Sequence, residues 1–254
     1  MKSLEVFYTD HYVNQLVSQF FAKANSFDLK NINQFVGDQE KTFVSYGILR
    51  GTGKIFLKSK NYIYIDHGYM NSSNREFTNT KATFTKNLGG YFRVVKNDFY
   101  FNQKYENTSP ERFNSLNLSL KDLNKIGEVI VVSEPSIHTL KFLNIPNWTE
   151  ETISQIKKYT DRKIIIHNKF SEVPLFEVLK NAFAFVSCQS TAAFKSIIAG
   201  VPSYFTHDNL KKFGKIQNIE KRTLNYDLLY IAANSQWKLK EFFSDDFKDF
   251  LNKV

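Results

Sequence analysis

Short apolar runs alternate with amphipathic stretches along most of this chain, a pattern typical of βαβ units around a parallel sheet. In the first half, the pattern predicts strands at residues 4–8, 43–49, 62–65 and 91–95, and helices at 12–24 and 54–58. In the second half, it predicts strands at 127–132, 163–166, 182–186 and 201–205, and helices at 135–143, 149–159, 175–181 and 190–199. The sequence therefore predicts an α/β fold.

The alternating pattern weakens between Met70 and about Leu120, where Asn, Thr and Ser are frequent. This interruption predicts two Rossmann-like domains with parallel sheets, residues 1–115 and 116–235. A helical tail at 236–254 is expected to pack back toward the N-terminal half. Because ligands of doubly wound sheets bind at the carboxyl ends of strands, near a topological switch point, polar residues that directly follow strands are the functional candidates.

Three strand ends in the second half carry polar residues that suit a phosphate-bearing ligand. Backbone N–H groups at a helix start are unpaired and favour an anion, and a neighbouring hydroxyl either bonds that anion or simply caps the helix. A Lys at such an edge either neutralises a diphosphate or is solvated. The candidates are Ser133, Ser136, His167, Lys169, Ser187, Gln189, Ser190 and Thr191.

Two polar residues follow the predicted strand at 62–65 in the first half. Asp66 is a candidate general base for a hydroxyl acceptor, and His67 is the alternative base. A turn in which Asp66 bonds nearby backbone N–H groups is an equally good interpretation. Tyr69, Arg50 and Arg93 are candidates for acceptor or anion binding because of their places near strand ends.

Composition narrows the chemistry only partly. The net charge of +9 suits a polyanionic partner such as double-stranded DNA, although a Lys-rich solvated surface explains it equally well. The single Cys188 cannot form an internal disulfide, and the five His show no ligand spacing, so we expect neither an oxidising compartment nor a metal site. With no signal peptide or membrane span in the sequence, the expected location is the cytoplasm, and the oligomeric state is not predicted.

The order of motifs in the second half resembles the donor-binding half of GT-B glycosyltransferases. The resemblance is to the capsule-type Kdo transferases and to compact glycosyltransferase-like proteins of tailed phages. It is carried by residues 161–167, Pro174-Leu175, residues 187–193 and Ala199-Gly200-Val201-Pro202, and for the phage type also by residues 66–69, 91–93 and 228–241. Members of these families often carry Arg where this chain has His167, and Lys169 is the nearby cation.

This resemblance implies metal-independent transfer from a nucleotide-sugar, with no further cofactor. The donor would bind the C-terminal half and the acceptor the N-terminal half, with Asp66 taking the acceptor's proton. The expected acceptor is a hydroxymethylated pyrimidine in phage DNA, which places the protein in the host cytoplasm. The alternatives are a surface polysaccharide or lipid-linked sugar acceptor, and a non-catalytic nucleic-acid-binding protein on the same scaffold.

Overall fold

The computed structural model describes residues 4–254 apart from residues 39, 73, 74, 79, 80, 85–88 and 103. It separates into two compact units, Met1–Asn107 with Ile231–Val254, and Thr108–Tyr230. The boundary therefore differs from the predicted one near residue 115. The C-terminal residues belong to the first unit because they complete its sheet and its aromatic core.

The first unit is built on a six-stranded mixed sheet in the order β12-β7-β4-β3-β1-β2. Its elements are β1 (Leu4–Tyr8), α1 (Tyr12–Asn25), β2 (Asp28–Asn31), β3 (Thr42–Tyr46), α2 (Gly53–Lys58), β4 (Asn61–His67), β5 (Arg75–Thr78), β6 (Lys81–Phe84), β7 (Phe92–Lys96), β12 (Gln236–Trp237) and α9 (Asp245–Lys253). Strands β2, β1, β3 and β4 are parallel, and β7 is antiparallel to both β4 and β12. The chain passes from β1 to β2 on one side and then to β3 on the other, so the topology switches between β1 and β3.

Aromatic side chains fill the core of the first unit. Helix α1 buries Phe21 against the sheet, and the C-terminal Phe242 and Phe247 meet that ring edge-on at 5.7 and 5.9 Å between centroids. Trp237 of β12 packs on Phe247 in turn, at 5.2 Å. The aromatic richness of the sequence is therefore mainly core filling, because these rings are almost completely buried.

The second unit contains a four-stranded, fully parallel sheet in the order β11-β10-β8-β9. Its elements are α3 (Glu111–Asn114), β8 (Val129–Ser133), α4 (Ile137–Leu143), α5 (Trp148–Ile156), β9 (Ile164–His167), α6 (Leu175–Lys180), β10 (Ala182–Ser187), α7 (Ala192–Ile198) and β11 (Ser203–Phe205), and α8 (Tyr226–Asn234) runs across the boundary between the units. Every residue of β8 and β10 is buried, as expected of strands covered on both faces. The topology switches between β8 and β10.

The α/β prediction is confirmed, with differences at element ends. Helix α4 begins at Ile137 rather than at residue 135, because the Ser136 hydroxyl accepts a hydrogen bond from the Thr139 N–H and caps the helix. Helix α7 begins at Ala192 rather than at residue 190. Strand β2 was not predicted, because its sequence DLKN lacks an apolar alternation. In the part of the chain that the structure describes, no helix is both long and apolar enough to cross a membrane.

Candidate functional sites at the carboxyl edges of the two sheets

Three of the predicted donor-site residues form one row across the sheet of the second unit. Ser187 is in register with Ser133, and Ser133 is in register with His167, on the adjacent parallel strands β10, β8 and β9. The row lies at the carboxyl ends of these strands and spans the switch point between β8 and β10. The structure thus brings together strand ends that are separated by up to 54 positions in the sequence.

The members of this row differ in exposure. Ser187 is completely buried, and its Oγ has no hydrogen-bond partner among the described residues. Ser133 is 8% exposed, and His167 is half-buried with its Nε2 3.1 Å from the Val173 carbonyl oxygen. That contact requires Nε2 to carry the proton, since a carbonyl only accepts. Ser187 therefore belongs to the buried interior at this edge of the sheet and does not line its surface.

The loop that follows Ser187 is more accessible. Ser190 Oγ accepts a hydrogen bond from the Ala192 N–H at 3.2 Å, so it serves the start of α7, as Ser136 serves α4. Thr191 is half-buried and makes no side-chain bond to the helix. Gln189 has a buried Oε1 without a partner among the residues that the structure describes. Thr191 is thus the side chain of this loop that remains available to a ligand, whereas the Gln189 Oε1 is enclosed.

Lys169 is exposed on a tight turn after β9. Asn168 shapes this turn, because its N–H bonds the Ser171 hydroxyl at 3.0 Å and its Oδ1 accepts from the Phe170 N–H at 2.9 Å. The ammonium group of Lys169 lies 4.7 Å from the centre of the Phe170 ring. The side chain is therefore solvated and flanks the edge of the sheet.

Glu134 directly follows β8, and hydrogen bonds hold its carboxylate in one orientation. The sequence did not identify it as a site residue. Its Oε1 accepts from the Thr149 hydroxyl and its Oε2 from the Asn168 amide, both at 3.1 Å. These partners come from α5 and from the turn after β9, so only the tertiary fold reveals them. A carboxylate held in this way suits hydroxyl groups of a ribose or a sugar better than phosphate.

A cavity of about 500 Å³ opens beside the ends of β10 and β11. It is lined by Leu143, Ile145, Trp148, Glu151, Thr152, Gln155, Cys188, Thr206, His207, Asp208 and Asn209. The indole N–H of Trp148 donates to the Thr206 hydroxyl at 2.7 Å, and His207 Nδ1 is buried without a partner among the described residues. Burial raises the pKa of the Cys188 thiol to about 11, so the thiol stays protonated. The size and mixed polarity of this cavity suit a nucleoside.

In the first unit, Asp66 and Arg93 form an ion pair across β4 and β7. They are opposite each other in the antiparallel register, with Arg93 Nη2 3.0 Å from Asp66 Oδ2. The Tyr64 hydroxyl also donates to Oδ2, and the His67 N–H donates to Oδ1 at 2.8 Å. Burial alone would raise the pKa of Asp66, but the Arg93 guanidinium, the His67 ring and the Tyr64 hydroxyl hold it below its ordinary value. The carboxylate is therefore ionised at neutral pH.

Two residues expected to contact an acceptor or anion lie in the core instead. Tyr69 is 2% exposed and donates its hydroxyl to the Tyr100 carbonyl. Arg93 is 9% exposed, and the rings of Tyr64, Tyr69 and Tyr100 lie 5.3–5.8 Å from its guanidinium carbon. Because a buried guanidinium needs a counter-ion, Arg93 is committed to Asp66. Both residues thus support Asp66 in this structure and are not exposed to a ligand.

The other two first-unit candidates are differently placed. His67 is half-buried, with its Nε2 3.0 Å from the Tyr46 hydroxyl. Arg50 is exposed on the loop after β3 and lines a separate cavity of about 450 Å³. Among the residues that the structure describes, no group of three or more His, Cys, Asp or Glu side chains is arranged to hold a metal ion.

We expect Asp66→Asn to lower the free energy of unfolding by roughly 3 kcal/mol at pH 7, because it leaves the Arg93 charge buried and unpaired. The lowered pKa of Asp66 means that its contribution is complete above about pH 4, its unfolded pKa, and is lost as pH falls through the lower folded value. Urea unfolding at pH 7 and at pH 2–3 should therefore show the difference between wild type and variant shrinking in acid.

The matched control is Asp38→Asn, which removes a surface carboxylate 4.0 Å from Lys41 in the same unit. That change should cost under about 0.5 kcal/mol at either pH. Equal losses of unfolding free energy in the two variants would show that the Asp66–Arg93 pair stabilises the fold no more than a surface carboxylate does.

No protein-family model matches this sequence, and no curated protein sequence matches it. Among solved structures, the chain is similar to two chains named for KpsC of Thermosulfurimonas dismutans. The first, a "beta Kdo 2,4 transferase", is 9% identical with a TM-score of 0.48, over 92% of this chain and 91% of that one. The second, a "beta Kdo 2,7 transferase", is 11% identical with a TM-score of 0.48, over 91% of each chain. Neither name describes a DNA-modifying enzyme, and at this TM-score the likeness does not transfer an activity to this chain.

Proposed function

We propose that this protein is a glycosyltransferase that moves a sugar from a nucleotide-sugar to the hydroxyl group of a saccharide acceptor. The observation that carries the proposal is the row formed by Ser133, His167 and Ser187 at the switch point of a fully parallel sheet. Switch points of this kind are the usual ligand sites of open α/β sheets. The sequence resemblance to GT-B donor-binding halves includes two of these residues, His167 and Ser187.

The donor is assigned to the second unit. Thr191 would contact its phosphates or sugar, with Gln189 beside it, Lys169 as the cation and His167 at the same edge. Glu134 would bond ribose or sugar hydroxyls, since its carboxylate is already oriented by two donors. The cavity beside Trp148 would hold the base and ribose of the nucleotide. The hydroxyls of Ser136 and Ser190 each accept a hydrogen bond from a backbone N–H at a helix start, and this assignment does not rely on them.

Asp66 is assigned as the base that takes the acceptor's proton. Among the described residues, its Oδ2 accepts two hydrogen bonds and its Oδ1 accepts one, so a lone pair remains on Oδ1 for an incoming hydroxyl. The carboxylate is 24% exposed and held ionised. His67, fixed by the Tyr46 hydroxyl, is the alternative base.

A saccharide is a better acceptor for the first unit than a flipped DNA base. A flipped base is held by stacking between aromatic side chains, but Phe7, Phe43 and Phe92 of this unit are fully buried. The exposed Tyr12 and Phe243 do not line the cavity described for this unit, whose lining side chains are Ile32 and hydroxyl, amide, carboxylate, imidazole and guanidinium groups. Such a surface fits the hydroxyl groups of a polysaccharide or of a lipid-linked sugar. The net charge of +9 is the observation that favours DNA, which remains the second candidate acceptor.

The proposal is tested by incubating the protein with a panel of nucleotide-sugars and two sets of acceptors, read by mass spectrometry. The first set contains capsule-type oligosaccharides and lipid-linked sugars, and the second contains duplex DNA with hydroxymethylcytosine. We expect one added sugar on a member of the first set. Addition of a sugar to DNA alone would show that the acceptor is DNA and not a saccharide. If nucleotides bind but no sugar is transferred to either set, the protein is a binding protein and not an enzyme.

We expect Thr191→Val to weaken nucleotide-sugar affinity about five- to tenfold, the value of one hydrogen bond of roughly 1 kcal/mol. The valine keeps the shape of the side chain and removes only its hydroxyl. Calorimetry with the donor identified in the transfer assay measures the change. The control is Ser196→Ala on the same helix, whose buried hydroxyl contacts the Ala193 and Val201 carbonyls. It should lower stability without changing affinity, and a Thr191→Val protein with normal affinity would remove this donor contact.

The pH dependence of transfer separates the two candidate bases. If Asp66 takes the proton, kcat/KM should stay constant down to about pH 4, because the pKa of this carboxyl lies below its ordinary value. Were His67 the base, protonation of its imidazole would remove activity in acid, and the acid limb would belong to the imidazole. A His67→Gln variant that retains the wild-type acid limb would exclude the imidazole, whereas loss of that limb would reassign the base to His67.

A further inference from the structure

The first unit has a cavity at its own topological switch point. The segments that follow β1, β2 and β3 enclose about 450 Å³, and β1 lies between the other two strands. The lining residues are Thr9, Asp10, His11, Asn31, Ile32, Asn33 and Arg50. Only Arg50 among them was singled out by its sequence position, because the others belong to short polar segments without a recognisable motif.

Arg50 is the cationic group of this cavity, and its loop is held in a specific shape. Its backbone has φ +60°, in the left-handed region that non-glycine residues rarely occupy, between Gly47 at +71° and Gly51 at +91°. The buried Thr52 fixes the loop, with its Oγ1 2.7 Å from the Gly47 carbonyl oxygen and 2.8 Å from that of Leu49. Such strain persists where the surroundings enforce it, which is common at ligand sites.

The guanidinium of Arg50 has no ion-pair partner among the described residues. Asp10, the one carboxylate in the lining, instead accepts from the Asn31 amide at 3.3 Å. Helix α1 starts at the same edge with fourteen residues, no acidic residue in its first turn and no side-chain cap. The cation and the positive end of the helix dipole both favour an anionic group in this cavity.

The remaining lining groups match hydroxyls. The carboxylate of Asp10 accepts hydrogen bonds, and the amide of Asn33 both donates and accepts, as adjacent sugar hydroxyls require. The Asn31 amide already donates to Asp10 and accepts from the Asn33 N–H, which leaves one N–H and one lone pair for a hydroxyl. An inorganic anion accepts hydrogen bonds from such amides, but the Asp10 carboxylate repels it. The combination of one cation with several hydroxyl-binding side chains therefore indicates a polyhydroxylated ligand that carries a negative charge.

We propose that this cavity binds a sugar unit bearing a carboxylate or a phosphate, with Arg50 on the anion and Asp10, Asn31 and Asn33 on the hydroxyls. The assignment of that sugar to the acceptor rests on the glycosyltransferase function proposed above. Binding itself does not, since it needs neither a donor nor turnover. Failure of transfer with intact sugar binding would therefore count against the enzyme and not against this site.

The test is calorimetry of the full chain with glucuronic acid, glucose 6-phosphate, glucose and inorganic phosphate, without any nucleotide. We expect at least one of the two anionic sugars to bind tenfold or more tightly than both glucose and phosphate. The anionic sugar that binds shows whether the cavity recognises a carboxylate or a phosphate. Equal affinity for glucose, or for inorganic phosphate, would overturn the proposal.

Three variants locate the binding. Arg50→Gln should reduce affinity for the anionic sugar at least tenfold, whereas Lys60→Gln, which removes an exposed charge elsewhere in the same unit, should leave it unchanged. Asn33→Ala should weaken binding of the sugar by removing a hydroxyl contact while thermal unfolding stays close to that of wild type. Equal effects of Arg50→Gln and Lys60→Gln would indicate general charge attraction and overturn the site.

A polynucleotide is the competing ligand for such a cavity. Duplex DNA added at the same phosphate concentration as glucose 6-phosphate should not displace the bound anionic sugar. Displacement by DNA that is lost in Arg50→Gln would assign the cavity to a nucleic-acid backbone and overturn the sugar proposal.

Discussion

Parallel pairing of β8 with both β9 and β10 is the constraint on which the candidate donor site depends. Parallel strands place their carboxyl ends at one edge, and the register decides which side chains meet there. In this sheet the register aligns Ser187, Ser133 and His167. A slip of one residue would turn each side chain to the opposite face and would disrupt the packing of strands that are buried on both faces. Core packing and site geometry are therefore specified by the same register.

The first unit positions its carboxylate by a different means. Strand β7 runs antiparallel to β4, and this pairing places Arg93 opposite Asp66. Burying both charges is costly, and the hydrogen bonds from Tyr64 and His67, with the surrounding tyrosine rings, offset that cost. The result is a carboxylate that is ionised, oriented and still partly exposed. Rigid placement of a charged group of this kind is a general requirement of acid–base and electrostatic catalysis.

The local sequence pattern was sufficient to predict the α/β class, most of the strands and the importance of residues at strand ends. It was insufficient where a residue's role depends on sheet order. Tyr69 and Arg93 lie near strand ends, but both are buried, because antiparallel pairing places Arg93 opposite Asp66 and the Tyr69 ring packs against the Arg93 guanidinium. Glu134 was not identified from the sequence, because its partner Thr149 comes from α5. The C-terminal residues assigned to a separate tail belong to the first unit because β12 pairs with β7, a contact that no local pattern encodes.

The strand–helix junctions of the second unit show how capping and ligand binding can coexist in one short segment. A hydroxyl that accepts a hydrogen bond from a backbone N–H at a helix start helps to cap that helix, as Ser136 and Ser190 do here. Neighbouring Gln189 and Thr191 make no such bond, although they come from the same loop. Because the bonds of Ser136 and Ser190 help to hold their loops in place, the backbone beside them is ordered before any ligand binds. In the proposed donor site, capping and ligand contact are therefore assigned to different residues, and substitution of Ser190 is expected to disturb contacts that Ser190 itself does not make.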